Sequence, residues 1–358
     1  MAIVADFGMF VVRTKVSAGK IPLMEARPGF SPGPVLVVDF DQYPRDRMTL
    51  IRRCAELIDI HETADNAWAA TGPVHSRTEF IAWAPSLWHA LAQGRKSMNG
   101  RGFLVLKGTH VEQSEDGVAQ LISLFISTAF GTPTRTDKKL QRFAWPVRYE
   151  STGYRSPTFS QTMAEAAFHT DSQYLDEPER YFGLFCVASD VQGKGTNFLV
   201  SRSRIVEKLN ESHPAALQAL KSPFPFRVPA VFTAGASDED VEVVWAPIIS
   251  EGLIRFRRDT IMAALALPGV AVGDNQLAAI HALEQAISEA PSLTHHLEPG
   301  EAIIVDNHLM LHARSPFSDS KRLLYRVRMK EQNSGTNTEQ GGLADPGQKP
   351  WDIMEDLR

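Results

Sequence analysis

From about residue 140 onward the chain is a series of short apolar or alternating runs, RYFGLFCVAS, TNFLVS, EVVWAPII, LIRFRR, EAIIVDN and RLLYRVRM, separated by turn residues. This feature limits the possible folds most. Runs so short satisfy their backbone hydrogen bonds only by pairing with one another, which predicts a mainly β core of the sandwich or barrel type. The first hundred or so residues read differently. RDRMTLIRRCAELIDIHE (45–62) and residues 84–96 carry apolar side chains at helical spacing. EDGVAQLISLFISTAF (115–130) does the same and is closed by Gly131 and Pro133. GRGFLVLKG (100–108) reads as a buried strand bounded by glycines, and NQLAAIHALEQAISEA (275–290) interrupts the later strands with one more helix. Residues 1–40 suggest short extended pieces broken by glycine and proline. The polar tail from about 332 suggests a mobile segment or a flap over a site. No repeat or linker divides the chain. The expectation is therefore a single domain, with strands and helices over about 1–99 packing on a core over about 100–330.

Within that core, FHTDSQY (168–174) sets His169 and Asp171 two apart in an apolar and aromatic neighbourhood. On a strand, residues i and i+2 face the same side, so both would point into one cavity with Thr170 turned away. Such a pair is either half of a metal site or an ordinary hydrogen-bonded couple. Histidine is scarce, 11 in all, yet DNHLMLHARSPF (306–317) places His308 and His312 just after a predicted strand. Two imidazoles and one carboxylate on one face suit Fe(II) and leave the opposite positions open, whereas thiolates would favour zinc or iron–sulfur clusters. The two cysteines, Cys54 and Cys186, form no disulfide framework or zinc-ribbon spacing, which fits a reducing cytoplasmic setting.

Three further features concern anions. Arg322 and Arg326 lie four apart in KRLLYRVRM (321–329) and face one way if that run is a strand. They either point inward, where each needs an anion, or form the solvated side of an edge strand. Arg314 follows His312 by two. KGTNFLVS (194–201) is a tight turn entering a strand, with Thr196 near its start. The formal net charge of −5 argues against a nucleic-acid or anionic-membrane partner. No apolar run reaches transmembrane length, and MAIVADFGMFVVRTKV lacks the basic lead of a signal peptide.

Taken in order, GRGFLVLKG with the following helix and FGTP, AAFHTDSQYLDEPERYFGLFC, GKGTNFLV, EPGEAIIVDNHLMLHARSPF and KRLLYRVRM resemble the Fe(II)/2-oxoglutarate-dependent oxygenases of the taurine dioxygenase and clavaminate synthase-like family. The resemblance spans roughly 100–330. It implies a double-stranded β-helix, or jelly roll, with flanking helices. It implies that His169, Asp171 and His312 bind the iron, with His308 as the fallback for the third ligand. It further implies that Arg322, helped by the Thr196 hydroxyl, holds the distal carboxylate of 2-oxoglutarate. Arg326 would then meet an anionic group of the primary substrate, with exchanged or shared roles for the two arginines left open. Asp171, where the clavaminate-like branch often has glutamate, leans towards the taurine dioxygenase side.

The implied reaction consumes 2-oxoglutarate and O2, releases succinate and CO2, and hydroxylates, desaturates or cyclises a small anionic molecule. The first expectation is a free amino acid or an amino-acid-derived natural-product intermediate. Ser160, Gln161 and Glu165 are candidate contacts for its other end, and SQYLDEPER (172–180) is a candidate lid. Two alternatives stand beside this reading. One is a catabolic dioxygenase of sulfonates or aryloxy acids; the other is a metalloenzyme on the same fold that works without 2-oxoglutarate. The acidic run ASDEDVEVV (236–244) reads as a solvated loop. Nothing in the sequence sets an oligomeric state.

Overall fold

Three prolines punctuate the N-terminal part of the chain. Pro44, Pro73 and Pro85 each stand at the start of a helix, where the missing N–H costs nothing and the fixed φ is already helical. After the short strand β1 (Val37–Asp39) they open α1 (Pro44–His61) and, beyond α2 (Ala64–Thr71), α3 (Pro73–Trp83) and α4 (Pro85–Ser97). Thr63 caps α2 by accepting a hydrogen bond from the Asn66 N–H. The computed structural model describes residues 35–135, 142–150, 159–229 and 241–332. Residues 1–34, most of the acidic run and nearly all of the tail lie outside them.

The chain continues through β2 (Phe103–Lys107), α5 (Asp116–Ser127), β3 (Thr132–Pro133), β4 (Ala144–Val147), β5 (Ala166–His169), β6 (Tyr181–Ala188) and β7 (Asn197–Ser201). Next come α6 (Arg202–Ser212), α7 (Pro214–Ala219), the paired β8 (Pro223–Arg227) and β9 (Val243–Pro247), and the paired β10 (Ile249–Ser250) and β11 (Leu253–Ile254). The last part holds α8 (Arg258–Leu265), α9 (Asp274–Glu289), β12 (Leu293–His295), β13 (Ala302–Asp306), β14 (Met310–Arg314) and β15 (Leu323–Lys330).

Two sheets organise these strands. The larger has the order β1-β2-β13-β6-β15-β3, with β4 also pairing with β15. The smaller has the order β12-β7-β14-β5 and is antiparallel throughout. The two-residue period of a strand divides the larger sheet cleanly. Leu104, Leu106, Tyr181, Phe185, Ile304, Tyr325, Val327 and Met329 face α1–α5 and pack with them. Phe103, Val105, Phe182, Cys186, Ile303, Val305 and Leu324 face the other way, into a core shared with Leu199 and Met310 of the smaller sheet. The outer side of the smaller sheet, through Val200 and Leu311, is covered by α6, α7, α9 and β8–β9. This is the mainly β core with flanking helices expected from the sequence.

α5 ends at Ser127, before the expected stop at Gly131, which is glycine because a Cβ there would collide with the Lys330 carbonyl oxygen. LIRFRR departs from expectation. Only Leu253–Ile254 is strand. Phe256 then pairs with Thr170 through backbone and side chain, and the chain turns into α8, where the Thr260 hydroxyl donates to the Arg257 carbonyl at 2.8 Å. α2, α3, α6, α7 and α8 were also not foreseen; each is short, and its apolar residues form no long stripe.

Candidate metal centre

His169 ends β5, and His312 lies directly across from it in the antiparallel register of β14. Their rings approach to 4.1 Å. Asp171 has already left the strand, but Asn307 holds it in place. The Asn307 side chain accepts from the Asp171 N–H and donates to the carbonyls of Asp171 and Glu179. One ligand atom from each of His169, Asp171 and His312 falls within 4.8 Å of the others. Thr170 points away as expected, its hydroxyl accepting from the Phe256 N–H. His308 does not join the group: its Nε2 lies 3.0 Å from the Pro178 carbonyl. The fallback for the third ligand is thus turned aside, because His308 sits in the turn before β14 and His312 on the strand itself.

The donor set fits a divalent iron. His169 Nδ1 lies 2.8 Å from the Ala167 carbonyl, which can only accept, so Nδ1 carries the proton and Nε2 presents its lone pair. Burial first, and then the Arg257 charge, press the His169 pKa down to about 3. Burial and the neighbouring His169 hold His312 well below the ordinary histidine value. Both imidazoles are therefore neutral and able to ligate near pH 7. Burial by itself would raise Asp171, but Arg326 and Arg328 outweigh it and keep the carboxyl ionised. Two neutral nitrogens and one carboxylate oxygen on one side of a buried site match the two-histidine, one-carboxylate arrangement of non-haem Fe(II).

β15 is not an edge strand; it lies between β6 and both β3 and β4, so its arginines are inward. Arg326 Nη1 and Arg328 Nε each donate to one oxygen of Asp171 at 3.2 Å. Among the described residues Arg314 meets no anion but donates to the carbonyls of Phe159, Thr162 and Ala164, fastening the 159–164 turn to β14. Arg322 lies 4.8 Å from the Phe317 ring centre, and its Nη1 is buried without a hydrogen-bond partner among the described residues. Burial lowers its pKa to about 10, which still leaves it charged at pH 7. The nearby Asp190 does not neutralise it by contact, since that carboxylate accepts from the N–H groups of Gln192, Ser318 and Asp319. Gly195 admits the guanidinium, because a Cβ there would stand 2.9 Å from Arg322 Nε.

One cavity connects these groups. His169, His312 and Arg326 line it with Arg322, and Val147, Phe182, Leu184 and Leu324 supply apolar wall. Ser160 also lines it and accepts a hydrogen bond from Trp145 Nε1. Gln161 instead donates to Glu150, and neither Gln161 nor Glu165 lines this cavity. Thr196, expected beside Arg322, is not on the wall either. Its N–H donates to Ser315 Oγ, and the pleat gives the wall position to Asn197. The candidate lid at 172–180 is a set of turns stapled by Arg255, which donates to the carbonyls of Gln173, Leu175 and Asp176. Sequence reasoning missed Asn197, Arg255, Arg257 and Arg328. Only Arg328 carried a signal, the continuing i, i+2 row from Arg326.

Comparison with known proteins agrees with this geometry. Residues 76–328 match the family model described as taurine catabolism dioxygenase TauD, TfdA family. Among solved structures, an asparagine oxygenase in complex with Fe(II), 2S,3S-3-hydroxyasparagine and succinate is similar, with a TM-score of 0.64 at 18% identity over 82% of this chain and 93% of that one. The non-haem iron oxygenase OrfP in complex with Fe and alpha-ketoglutaric acid superposes with a TM-score of 0.61 at 14% identity, covering 84% of this chain and 95% of that one. The same values hold for OrfP with Fe, succinate and (3S)-hydroxy-L-Arg.

Proposed function

The chain belongs to the TauD, TfdA dioxygenase family, and from that premise we propose that His169, Asp171 and His312 hold its iron and Arg322 its cosubstrate, for attack on an unactivated C–H bond of a small anionic molecule. As a member it is a non-haem Fe(II)- and 2-oxoglutarate-dependent oxygenase. A single observation carries the residue assignment. One cavity is lined by two of the three ligands, His169 and His312, with Asp171 grouped beside them, and by a buried guanidinium whose Nη1 has no hydrogen-bond partner among the described residues. A keto acid bound between them would lay its methylenes along Leu184 and Leu324 and its distal carboxylate on Arg322.

Bound iron with 2-oxoglutarate and O2 supplies the oxidising power and releases succinate and CO2. The protein's own groups do the rest. His169 and His312 present neutral nitrogens. Arg326 and Arg328 orient Asp171 from both sides while Asn307 fixes its backbone. Arg314 anchors the turn that brings Ser160 to the cavity as a substrate-side contact. The apolar walls keep water from the reacting centre.

Arg326 lines the cavity and shares the carboxylate of Asp171 with Arg328, which supports an anionic substrate. Arg326 Nε, buried and without a hydrogen-bond partner among the described residues, is the group we assign to it. The hydroxylated asparagine and arginine held by the similar structures favour a free amino acid or an amino-acid-derived intermediate. The family description favours a second reading, catabolic attack on a sulfonate or aryloxy acid. The deciding experiment is anaerobic addition of Fe(II) and then 2-oxoglutarate to metal-free protein. A visible charge-transfer band that needs both additions is expected. Iron binding without that band would overturn the reading in favour of a metalloenzyme independent of 2-oxoglutarate. Succinate release, measured across amino acids, sulfonates and aryloxy acids, then separates the two substrate classes.

A further inference from the structure

Neither the triad nor the cosubstrate accounts for Arg257. Its backbone is delivered to the flank of the metal centre by three contacts. The Thr170 N–H donates to the Phe256 carbonyl at 2.8 Å, the Phe256 N–H donates to the Thr170 hydroxyl at 3.0 Å, and the Ile254 N–H donates to the His308 carbonyl at 2.9 Å. The Arg257 guanidinium carbon lies 4.4 Å from the centre of the Phe159 ring. That ring lines the cavity and stands edge-on to His169 at 5.0 Å. After burial, Arg257 is the strongest influence depressing the His169 pKa, and its charge also bears on Arg326 and Tyr174.

Its partner is close in sequence and replaceable. Arg257 Nε and Nη2 hold Asp259, and Nη1 stays outside the pair. The Arg257 side chain is 14% exposed and that of Asp259 50%, so the pair straddles the boundary between the site and solvent. A half-exposed carboxylate held across two residues of one segment is a weak partner and is readily exchanged for another anion. The stacked Phe159 ring keeps the guanidinium in place when that exchange occurs.

We propose that Arg257 is an anion-binding position at the mouth of the metal centre, where a carboxylate, sulfonate or phosphate at the far end of the substrate displaces Asp259 above the Phe159 platform. The inference rests on the proposed function and narrows it. Among amino acids, an acidic side chain is selected over its amide.

The test uses protein loaded with Fe(II) and 2-oxoglutarate under anaerobic conditions. It is titrated with L-aspartate and L-glutamate, and separately with L-asparagine and L-glutamine, following the perturbation of the charge-transfer band. The acids should bind at least about tenfold more tightly than the amides, about 1.4 kcal/mol. R257Q should abolish that preference by weakening the acids alone, and R257K should restore part of it. D259N, which removes the competing carboxylate, should tighten the acids several-fold, an effect no purely structural role predicts. Failure of the acids to bind, equal binding of acids and amides, equal weakening of both by R257Q, or acid affinity unmoved by D259N would each overturn the proposal. Loss of the band in the wild-type protein strikes the proposed function itself, and this inference with it. An intact band with no acid preference strikes the inference alone.

Discussion

The two faces of β15 are buried alike and built differently. Towards α1–α5 the strand presents Tyr325, Val327 and Met329, all within the apolar core. Towards the smaller sheet it presents Leu324, Arg326 and Arg328, and Arg328 is nearly as inaccessible as Met329. The first face is stabilised by removing apolar area from water, about 25 cal/mol per Å². The second depends on Asp171 standing between two guanidiniums, since a buried charge without a partner costs several kcal/mol. Depth of burial therefore does not separate scaffold from site here. What separates them is whether each buried polar atom has its partner.

The sharpest way to break this contrast is D171A. It removes a proposed iron ligand and the carboxylate that Arg326 and Arg328 share, so succinate release should vanish and stability should fall by about 3–5 kcal/mol. Retained turnover in a succinate assay would show that the triad is misassigned. On the opposite face, M329A should cost about 2–5 kcal/mol in a denaturant titration through the cavity it leaves. The folded fraction of that variant should bind 2-oxoglutarate as the wild type does; a raised Kd would mean that the two faces are coupled.

R322M should do the converse. Loss of a charge-assisted hydrogen bond, about 1.5–3 kcal/mol, predicts a Kd for 2-oxoglutarate raised by about ten- to a hundredfold. Its melting temperature should hold or rise, because a buried cation whose Nη1 has no hydrogen-bond partner among the described residues has been replaced by an apolar chain. Weakened folding with unchanged binding would instead make Arg322 structural.

Proton linkage provides a gentler probe. The folded His169 pKa of about 3 lies below the ordinary 6.5, so below pH 6.5 the unfolded chain binds more protons than the folded one. This contribution is complete above pH 6.5 and is lost as pH falls towards 3; the depressed His312 acts in the same direction. Metal-free protein should show a falling melting temperature over that window, and a flat profile would contradict neutral, buried histidines. The smallest effect is expected for H308Q. Among the described residues its ring is hydrogen-bonded to the Pro178 carbonyl, so about 1 kcal/mol of stability is at stake and Fe(II) affinity should not change.

Legibility followed the length of the signal. Long amphipathic stripes located α1, α4 and α9 to within a residue, and α5 except that it ends at Ser127, three residues before the expected end, and alternating or short apolar runs located β6, β7, β13 and β15. LIRFRR misled because a short apolar run with interleaved arginines has the same pattern whether it ends in a strand or in a turn before a helix. In the site, the ligand set was readable because H-x-D and the later histidine are local patterns. Asn307 lay in view as part of a turn, but its clamp on Asp171 depends on two segments meeting. Thr196 lies off the cavity wall and Asn197 on it, because successive residues of an extended segment face opposite sides.

The sequence alone determined the mainly β architecture, the imidazole and carboxylate donors, and a row of arginines on one face of the last strand, because periodicity and residue chemistry are properties of the chain itself. Tertiary structure decided which histidine lies opposite His169, and which arginines share Asp171 while Arg322 waits for another anion. It also brought Arg257 onto the Phe159 ring. Those outcomes depend on strand register and on distances between segments far apart in the chain, and for a buried charge the energy is set by what stands opposite it rather than by its neighbours in sequence.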